Sequence, residues 1–342
     1  MASPEPAHGD RFHLSFDPFV LTTGSFEPGL ADAFCSAQED DNRRRLGLAE
    51  LTYYRGDPGG AAALFEEVRN HTEGPASIAA FLGGTLSALA DGNVYDVIDT
   101  YRLATELSAA FSPGHTMRRM SDFFLLYFNI LVKNVPDIHF PPYGIHAFDV
   151  PGTLLPMAFY IYSDYLIETG DIGRAVGMAE GALIFIKKPC PVSEIYLSLT
   201  ICSAYMNRNV WDKAEYYFRY AWSLAKPDDL LMPFAELRGR LFGMLERCLR
   251  HEEPAAYKHI TELANRYHKS WVFIHNALTG ERLADNLTAI EYNIASLAAN
   301  NMTNQEIADF CGISVNSVRA HLRNIFNKLN VNCRKDLKTF VI

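Results

Sequence analysis

Apolar residues recur every three or four positions near the C-terminal end of the chain, which is the spacing of an amphipathic helix. The first such run contains Ile290, Ile294 and Leu297. Thr288 can cap the start of this helix, and Asn300 is expected near its end. The pattern therefore predicts one helix between these two residues.

Two further helices are predicted directly after the first. Thr303 and Glu306 have the spacing of a capping box, in which each side chain satisfies a free amide group. This second helix is expected to end near Cys311, where Gly312 permits a sharp turn, and Ser314 can cap the next helix. The buried stripe of the third helix is predicted to comprise Val315, Val318, Leu322, Ile325, Phe326 and Leu329. Helices joined by so short a turn are typical of a helix-turn-helix.

Four segments of this region follow a recognisable order of residue types. They read LTAIE (287–291), TNQEIA (303–308), ISVNSVRAH (313–321) and IFNKLNVNCR (325–334). In this order and spacing they resemble the C-terminal DNA-binding domain of LuxR/FixJ-type bacterial regulators. The resemblance implies a four-helix domain over residues 287–342. One departure is Asn301, where the family usually has glycine, and asparagine tolerates the same left-handed backbone.

The resemblance also implies which side chains contact double-stranded DNA. The second helix of such a motif lies in the major groove, and its exposed residues meet base edges. The residues expected to face the bases are Arg319, Ala320 and Arg323. The residues expected to contact phosphates are Thr303, Asn316, Ser317 and Lys328. The alternative is that these polar groups form only a solvated helix face.

In this family the last helix pairs two copies of the chain. Here the segment from Arg334 onward is expected to form that helix and to expose Leu337, Phe340 and Val341. A homodimer is expected because two-fold symmetry doubles the contacts over two half-sites. Glu291 and Arg334 are expected to form an ion pair between the first and last helices.

The longer N-terminal part shows a weaker repeat. Small residues recur at Ala61, Val97, Ala175, Ala214 and Ala256, in steps of 36, 78, 39 and 42 residues, and 78 is two units of 39. Such small residues let paired helices pack closely. The region resembles tetratricopeptide (TPR) repeats with longer units, so we expect a TPR-like α-solenoid.

These patterns predict an all-α fold in four parts. They are a disordered arm (1–10), the TPR-like solenoid as a sensor or interaction domain (11–270), a linker (271–286) and the helix-turn-helix domain (287–342). The arrangement resembles MalT-like regulators, but the sequence lacks their G-x-x-x-x-G-K-[ST] phosphate loop. Control is therefore expected to come through the solenoid.

A proline-rich segment between Val135 and Pro156 interrupts the repeats, and its five prolines predict a loop. Its candidate ligand-binding residues are His139, Phe140, Tyr143, His146 and Phe148. They suggest a loop that caps a pocket for a small ligand or peptide. The alternative is a packed loop that covers the core.

Charge and composition narrow the possible functions. The net charge of -9 divides into -10 for residues 1–280 and +1 for residues 281–342. No acidic residue lies between Asp309 and Asp336, whereas five Lys or Arg do, which indicates a local basic face. Six cysteines without a C-x-x-C pair argue against a disulfide framework and favour the cytoplasm. No apolar run is long enough to span a membrane.

The favoured function is a bacterial transcription regulator that binds operator DNA. Its helical repeats are expected to sense an unidentified small molecule, peptide or protein. The alternative is a TPR-type interaction scaffold whose C-terminal domain docks a protein partner. An enzyme is not expected, because no nucleophile stands at a recognisable spacing from a base, and no cofactor or metal site is predicted.

Overall fold

The computed structural model describes residues 12–14, 16–72, 75–112, 114–134 and 148–341. Within these ranges the chain forms sixteen α-helices and two strands of two residues each. The strands β1 (Phe12–His13) and β2 (Phe148–Asp149) pair in parallel. The predicted all-α fold is therefore confirmed apart from this short pairing. The predicted disordered arm, residues 1–10, lies outside the described residues.

Thirteen of these helices precede the predicted helix-turn-helix. They are α1 (Ala31–Ser36), α2 (Asp41–Tyr54), α3 (Pro58–His71), α4 (Pro75–Asp91), α5 (Val94–Ala110), α6 (Thr116–Leu131), α7 (Leu155–Glu168), α8 (Ile172–Phe185), α9 (Pro191–Asn207), α10 (Trp211–Ala225), α11 (Met232–Glu236), α12 (Arg238–Leu249) and α13 (Pro254–Thr279). A 3₁₀ turn, Lys226–Asp228, follows α10. Most helices that are neighbours in the chain pack against each other, most extensively α3 with α4 and α9 with α10.

A recurring turn underlies the predicted repeat. Four hairpins have a residue with positive φ two positions before the second helix, namely Gly56, Gly92, Gly170 and Asn209. Five positions after each of them lies a fully buried small residue, namely Ala61, Val97, Ala175 and Ala214. These small residues therefore mark one position in the second helix of each pair, as a repeat requires. Ala256 differs, because it is only half-buried at the start of the long helix α13.

Helix α13 extends through most of the segment predicted as a linker. It contains 26 residues and is followed by Gly280, whose φ of 75° is left-handed. Its Trp271 is buried and donates a hydrogen bond from Nε1 to the carbonyl oxygen of Leu131 at 2.8 Å. Residues 271–279 are therefore the last turns of a packed helix, and the extended part of the predicted linker is limited to 280–286.

The three helices predicted near the C terminus are confirmed as α14 (Ala289–Ala299), α15 (Asn304–Cys311) and α16 (Val315–Leu329). Thr288 and Thr303 both cap their helices through capping boxes, and Gly312 has a φ of 63° in the turn before α16. Local capping and turn chemistry therefore determine these boundaries.

The predicted fourth helix is a short 3₁₀ helix, Arg334–Thr339. Leu337 and Val341 are buried, and Phe340 is half-buried. The prediction that these three side chains are exposed is wrong, because the terminal segment packs against α14 of the same chain. The carbonyl oxygen of Phe340 also accepts a hydrogen bond from the amide of Ala284 at 2.9 Å, which holds the segment in place.

The C-terminal helices pack on the preceding ones, mainly through α12, which contacts α14 and α15. Trp211 at the start of α10 meets Phe310 of α15 edge to face, with ring centroids 5.1 Å apart. The buried apolar side chains of both parts form one continuous cluster.

Candidate nucleic-acid interface

Helix α16 has one buried face and one open face. Val318, Leu322 and Ile325 are buried, and Val315, Phe326 and Leu329 pack partly buried beside them. This agrees with the predicted stripe. The Ser314 hydroxyl caps the helix by accepting a hydrogen bond from the amide of Ser317 at 3.0 Å. The opposite face of α16 is left to solvent.

The three side chains expected to face DNA bases lie together on this open face. Arg319, Ala320 and Arg323 are all exposed. Arg319 donates one hydrogen bond, from Nη1 to the Asn316 amide oxygen at 3.2 Å. In the part of the chain that the structure describes, neither arginine has a carboxylate partner. Both guanidinium groups are therefore available to an anionic or base-edge acceptor.

An open depression of about 600 Å³ runs along this face. Arg319 and Arg323 line it together with Asn327 of α16 and with Asn332 and Arg334 beyond that helix. The lining contains no acidic side chain, so the depression is basic. A basic concave surface of this kind suits a polyanion.

The four expected phosphate-contacting side chains are also at or near the surface, but each already has a role within the domain. The Thr303 hydroxyl accepts from the amide of Glu306 at 3.2 Å, and the Ser317 hydroxyl lies 2.8 Å from that of Ser314. Lys328 donates from Nζ to Glu291 Oε2 at 2.6 Å. Two of the three ammonium N–H groups of Lys328 thus remain for another acceptor.

The prediction of an ion pair between Glu291 and Arg334 is wrong. The Glu291 carboxylate accepts hydrogen bonds from Lys328 and from the Thr288 amide, the latter at 2.9 Å. Burial alone would raise the pKa of Glu291, but these hydrogen bonds outweigh it and lower the pKa. Arg334 instead donates to the carbonyl oxygen of Met302 and to the side-chain oxygen of Asn304. It therefore fastens the turn between α14 and α15.

Comparison with known families matches residues 285–341 to the model described as bacterial regulatory proteins, luxR family. This part of the chain is a luxR-family helix-turn-helix domain. The match supports a DNA-binding transcription regulator. No curated protein and no solved structure compared with the chain matches it. Among the described helices, none combines the length and the apolar character needed to cross a membrane.

The candidate ligand loop lies almost wholly beyond what the structure describes. His139, Phe140, Tyr143 and His146 are outside the described residues. Phe148 lies in β2, where its backbone is paired with that of Phe12. A ligand-binding role for this loop stays a prediction.

A cavity of about 470 Å³ lies between the luxR-family domain and the helices before it, and no sequence motif predicts it. Side chains from α7, α12, α13 and α14 contribute to its wall. No local motif could have revealed this site, because its parts are separated by more than a hundred residues. The sequence signal is limited to the aromatic residues of α7 and α13, which alone do not place a cavity.

Proposed function

We propose that this protein is a bacterial transcription regulator that binds operator DNA through α16. The observation that carries the proposal is the exposed group of Arg319, Ala320 and Arg323 on α16. This helix is the second of the helix-turn-helix, which such motifs place in the major groove. An α-helix fits the major groove, where arginine can donate two hydrogen bonds to a guanine.

In this proposal the two arginines read guanine edges or neighbouring phosphates, and Ala320 makes an apolar contact with a base. Thr303, Asn316, Ser317 and Lys328 contact phosphates and set the orientation of α16. All four lie in the luxR-family domain. Phosphate contacts make the affinity depend on salt, because counterions are released when the complex forms.

We further propose that the regulator binds DNA as a homodimer and that its TPR-like helical part, α1 to α13, receives a signal. One recognition helix reads few bases, so two copies on two half-sites increase specificity. Leu337 and Val341 are occupied within the chain, so the pairing surface uses other residues, with Phe340 the most accessible of the predicted three. Sedimentation of the chain with DNA carrying one or two half-sites measures the stoichiometry.

The proposal is tested with the full chain and an operator selected from random duplexes. Arg319→Ala and Arg323→Ala are each expected to weaken specific binding by about 5- to 150-fold, the range for losing one good base contact. Arg250→Ala, an exposed change on the helical part, is the matched control and is expected to leave the affinity unchanged.

A DNA affinity that changes neither with the two arginine substitutions nor with the salt concentration would refute a DNA-reading role for α16. A protein partner captured equally well by the double variant would instead support the interaction scaffold. Circular dichroism of each variant checks that the fold is retained.

A further inference from the structure

The cavity at the junction has the size and position of a ligand site. Its volume of about 470 Å³ falls within the usual range for small-molecule pockets. Tyr267, His268 and Trp271 of α13 line one side, and Tyr292 of α14 lines another. An occupant would therefore touch the helical part and the luxR-family domain at once.

Two residues of this wall each have one polar atom without a hydrogen-bond partner in the described part of the chain. These atoms are the Tyr267 hydroxyl oxygen and the His268 Nε2 atom, both shielded from solvent. Tyr267 as a whole is only 5% exposed. A buried polar atom without a hydrogen bond is costly and uncommon in native proteins. A ligand that binds both atoms, after a small rotation of these side chains toward the cavity, removes that cost.

The rings beside these atoms form an apolar surface. The His268 ring lies nearly parallel to that of Trp271, with centroids 6.3 Å apart, and meets Tyr292 edge-on at 4.8 Å. Burial lowers the pKa of His268 to about 4, so its imidazole is neutral near neutral pH. Flat ring systems pack well against such faces and edges.

The charges in the wall are largely compensated. Arg240 donates to Asp164 at 3.1 Å and to Glu168 at 2.7 Å. Lys133 lies 3.5 Å from the other oxygen of Glu168. These two cations and two anions therefore balance each other. A charged ligand would lose its hydration without gaining an unpaired counter-charge.

The remaining charged residues of the wall are also held by protein groups. Arg238 pairs with Glu246, and both side chains are 5% exposed. Glu236 accepts hydrogen bonds from the hydroxyls of Tyr53 and Tyr196, the latter at 2.8 Å. Arg238 therefore offers no free charge to an occupant, and both carboxyl oxygens of Glu236 already accept a hydrogen bond.

We propose that this cavity binds an uncharged small molecule that carries a flat ring and a hydroxyl or carbonyl group. The ring packs beside Trp271 and Tyr292, and the polar group binds the Tyr267 hydroxyl and His268 Nε2. As the effector site of the regulator, a role that rests on the proposed function, the cavity couples ligand to domain position. An occupant that binds the docked arrangement more tightly shifts the population toward it.

The charge preference is tested with three probes that share one ring system: naphthyl methanol, naphthoate and naphthylmethylammonium. Calorimetry on the full chain without DNA measures each affinity. We expect naphthyl methanol to bind at millimolar concentration or tighter and the two ions to bind at least about tenfold more weakly. Equal affinity for all three probes, or no binding of naphthyl methanol, would overturn the proposal.

The location of the bound probe is tested with Tyr267→Phe, which removes only the unpartnered hydroxyl. We expect about tenfold weaker binding of naphthyl methanol. We also expect the unliganded variant to melt at the same or a higher temperature, because the lost hydroxyl had no partner. Tyr95→Phe, at an exposed tyrosine, is the control.

His268→Phe gives an independent check, because it keeps a ring beside Trp271 and removes Nε2. It is likewise expected to weaken binding about tenfold. Unchanged affinity in both variants would place the probe elsewhere and overturn the assignment. A lower melting temperature for Tyr267→Phe would show that the hydroxyl serves the fold.

The effector role is measured separately, as the change in operator affinity when naphthyl methanol is added. We expect a change in the wild-type chain that is lost in Tyr267→Phe. Ligand binding that leaves operator affinity unchanged would overturn the effector role alone. A chain that binds the probe but no DNA would refute the proposed function and leave the cavity site standing.

Discussion

Gly243 of α12 lies directly against the backbone of Cys311 at the end of α15. A Cβ atom at position 243 would lie 2.0 Å from the carbonyl carbon of Cys311, which no real contact allows. Glycine is therefore the residue that lets the helical part and the luxR-family domain meet at backbone distance. Burial raises the pKa of the Cys311 thiol to about 12, so this group stays neutral in the interface.

Gly243→Ala is expected to disrupt this interface. The added methyl group cannot be accommodated without moving backbone, and such overpacking typically lowers the free energy of unfolding by about 1–3 kcal/mol. Gly239→Ala on the same helix is the matched control, because its Cβ would lie 3.6 Å from the nearest atom, Asn293 Oδ1. Urea unfolding followed by circular dichroism measures the free energy of unfolding of both variants.

Alanine favours a helix over glycine by up to about 1 kcal/mol, so Gly239→Ala should be neutral or stabilising. Equal effects of the two changes would show that the contact at Cys311 does not matter.

The capping box at Thr303 is expected to stabilise the folded chain. Thr303→Ala removes the acceptor for the Glu306 amide and is expected to lower the free energy of unfolding by about 1 kcal/mol. Thr303→Ser keeps a hydroxyl and should retain most of that stability. Thermal unfolding of the three proteins compares them, and an unaffected alanine variant would contradict a capping role.

Asn301 has a φ of 66°, in the left-handed region that the sequence predicted for it. Asn301→Gly is expected to keep or increase stability, and Asn301→Ala to lower it by about 1 kcal/mol. The neighbouring Asn300 has a φ of -83°, so Asn300→Ala is the control. Chemical denaturation measures these differences, and equal losses at the two positions would argue against backbone strain.

Glu236 makes the stability depend on pH. Burial raises the pKa of its carboxyl from 4.5 to about 7, so the folded state keeps a proton that the unfolded state loses. Between those values the folded state binds more protons, so stability falls as pH rises through that window. Glu236→Gln has no titratable side chain at this position, so it lacks this loss of stability.

We therefore expect the stability of Glu236→Gln relative to wild type to rise across this window, by at most about 3 kcal/mol. Below the unfolded pKa the difference should be constant, because both states of wild type are protonated. Unfolding in urea at a series of pH values measures it. Glu39→Gln, at an exposed position, is the control.

The luxR-family domain was the most predictable part of the chain, because its boundaries depend on local chemistry. Thr288, Thr303 and Ser314 each cap a helix through contacts within three residues. The exposed positions of Arg319 and Arg323 follow from the periodicity of α16. Sequence alone therefore sufficed to predict that these two side chains are exposed.

Features that depend on competing partners were not predictable. Lys328 and Arg334 are both cations that could pair with Glu291, and only the packing of the terminal segment decides between them. Leu337 is apolar whether it packs in its own chain or on a second copy. The cavity beside Tyr267 needs helices distant in sequence, so no pattern indicates it.

The chain connecting α13 and α14 is short, since only residues 280–288 separate them. A luxR-family domain released from α12 would therefore remain tethered nearby, at an effective concentration on the order of millimolar. Its return would be a first-order process that does not depend on protein concentration. Even a weak interface then keeps the domain docked most of the time, and a modest bias is enough to change its position.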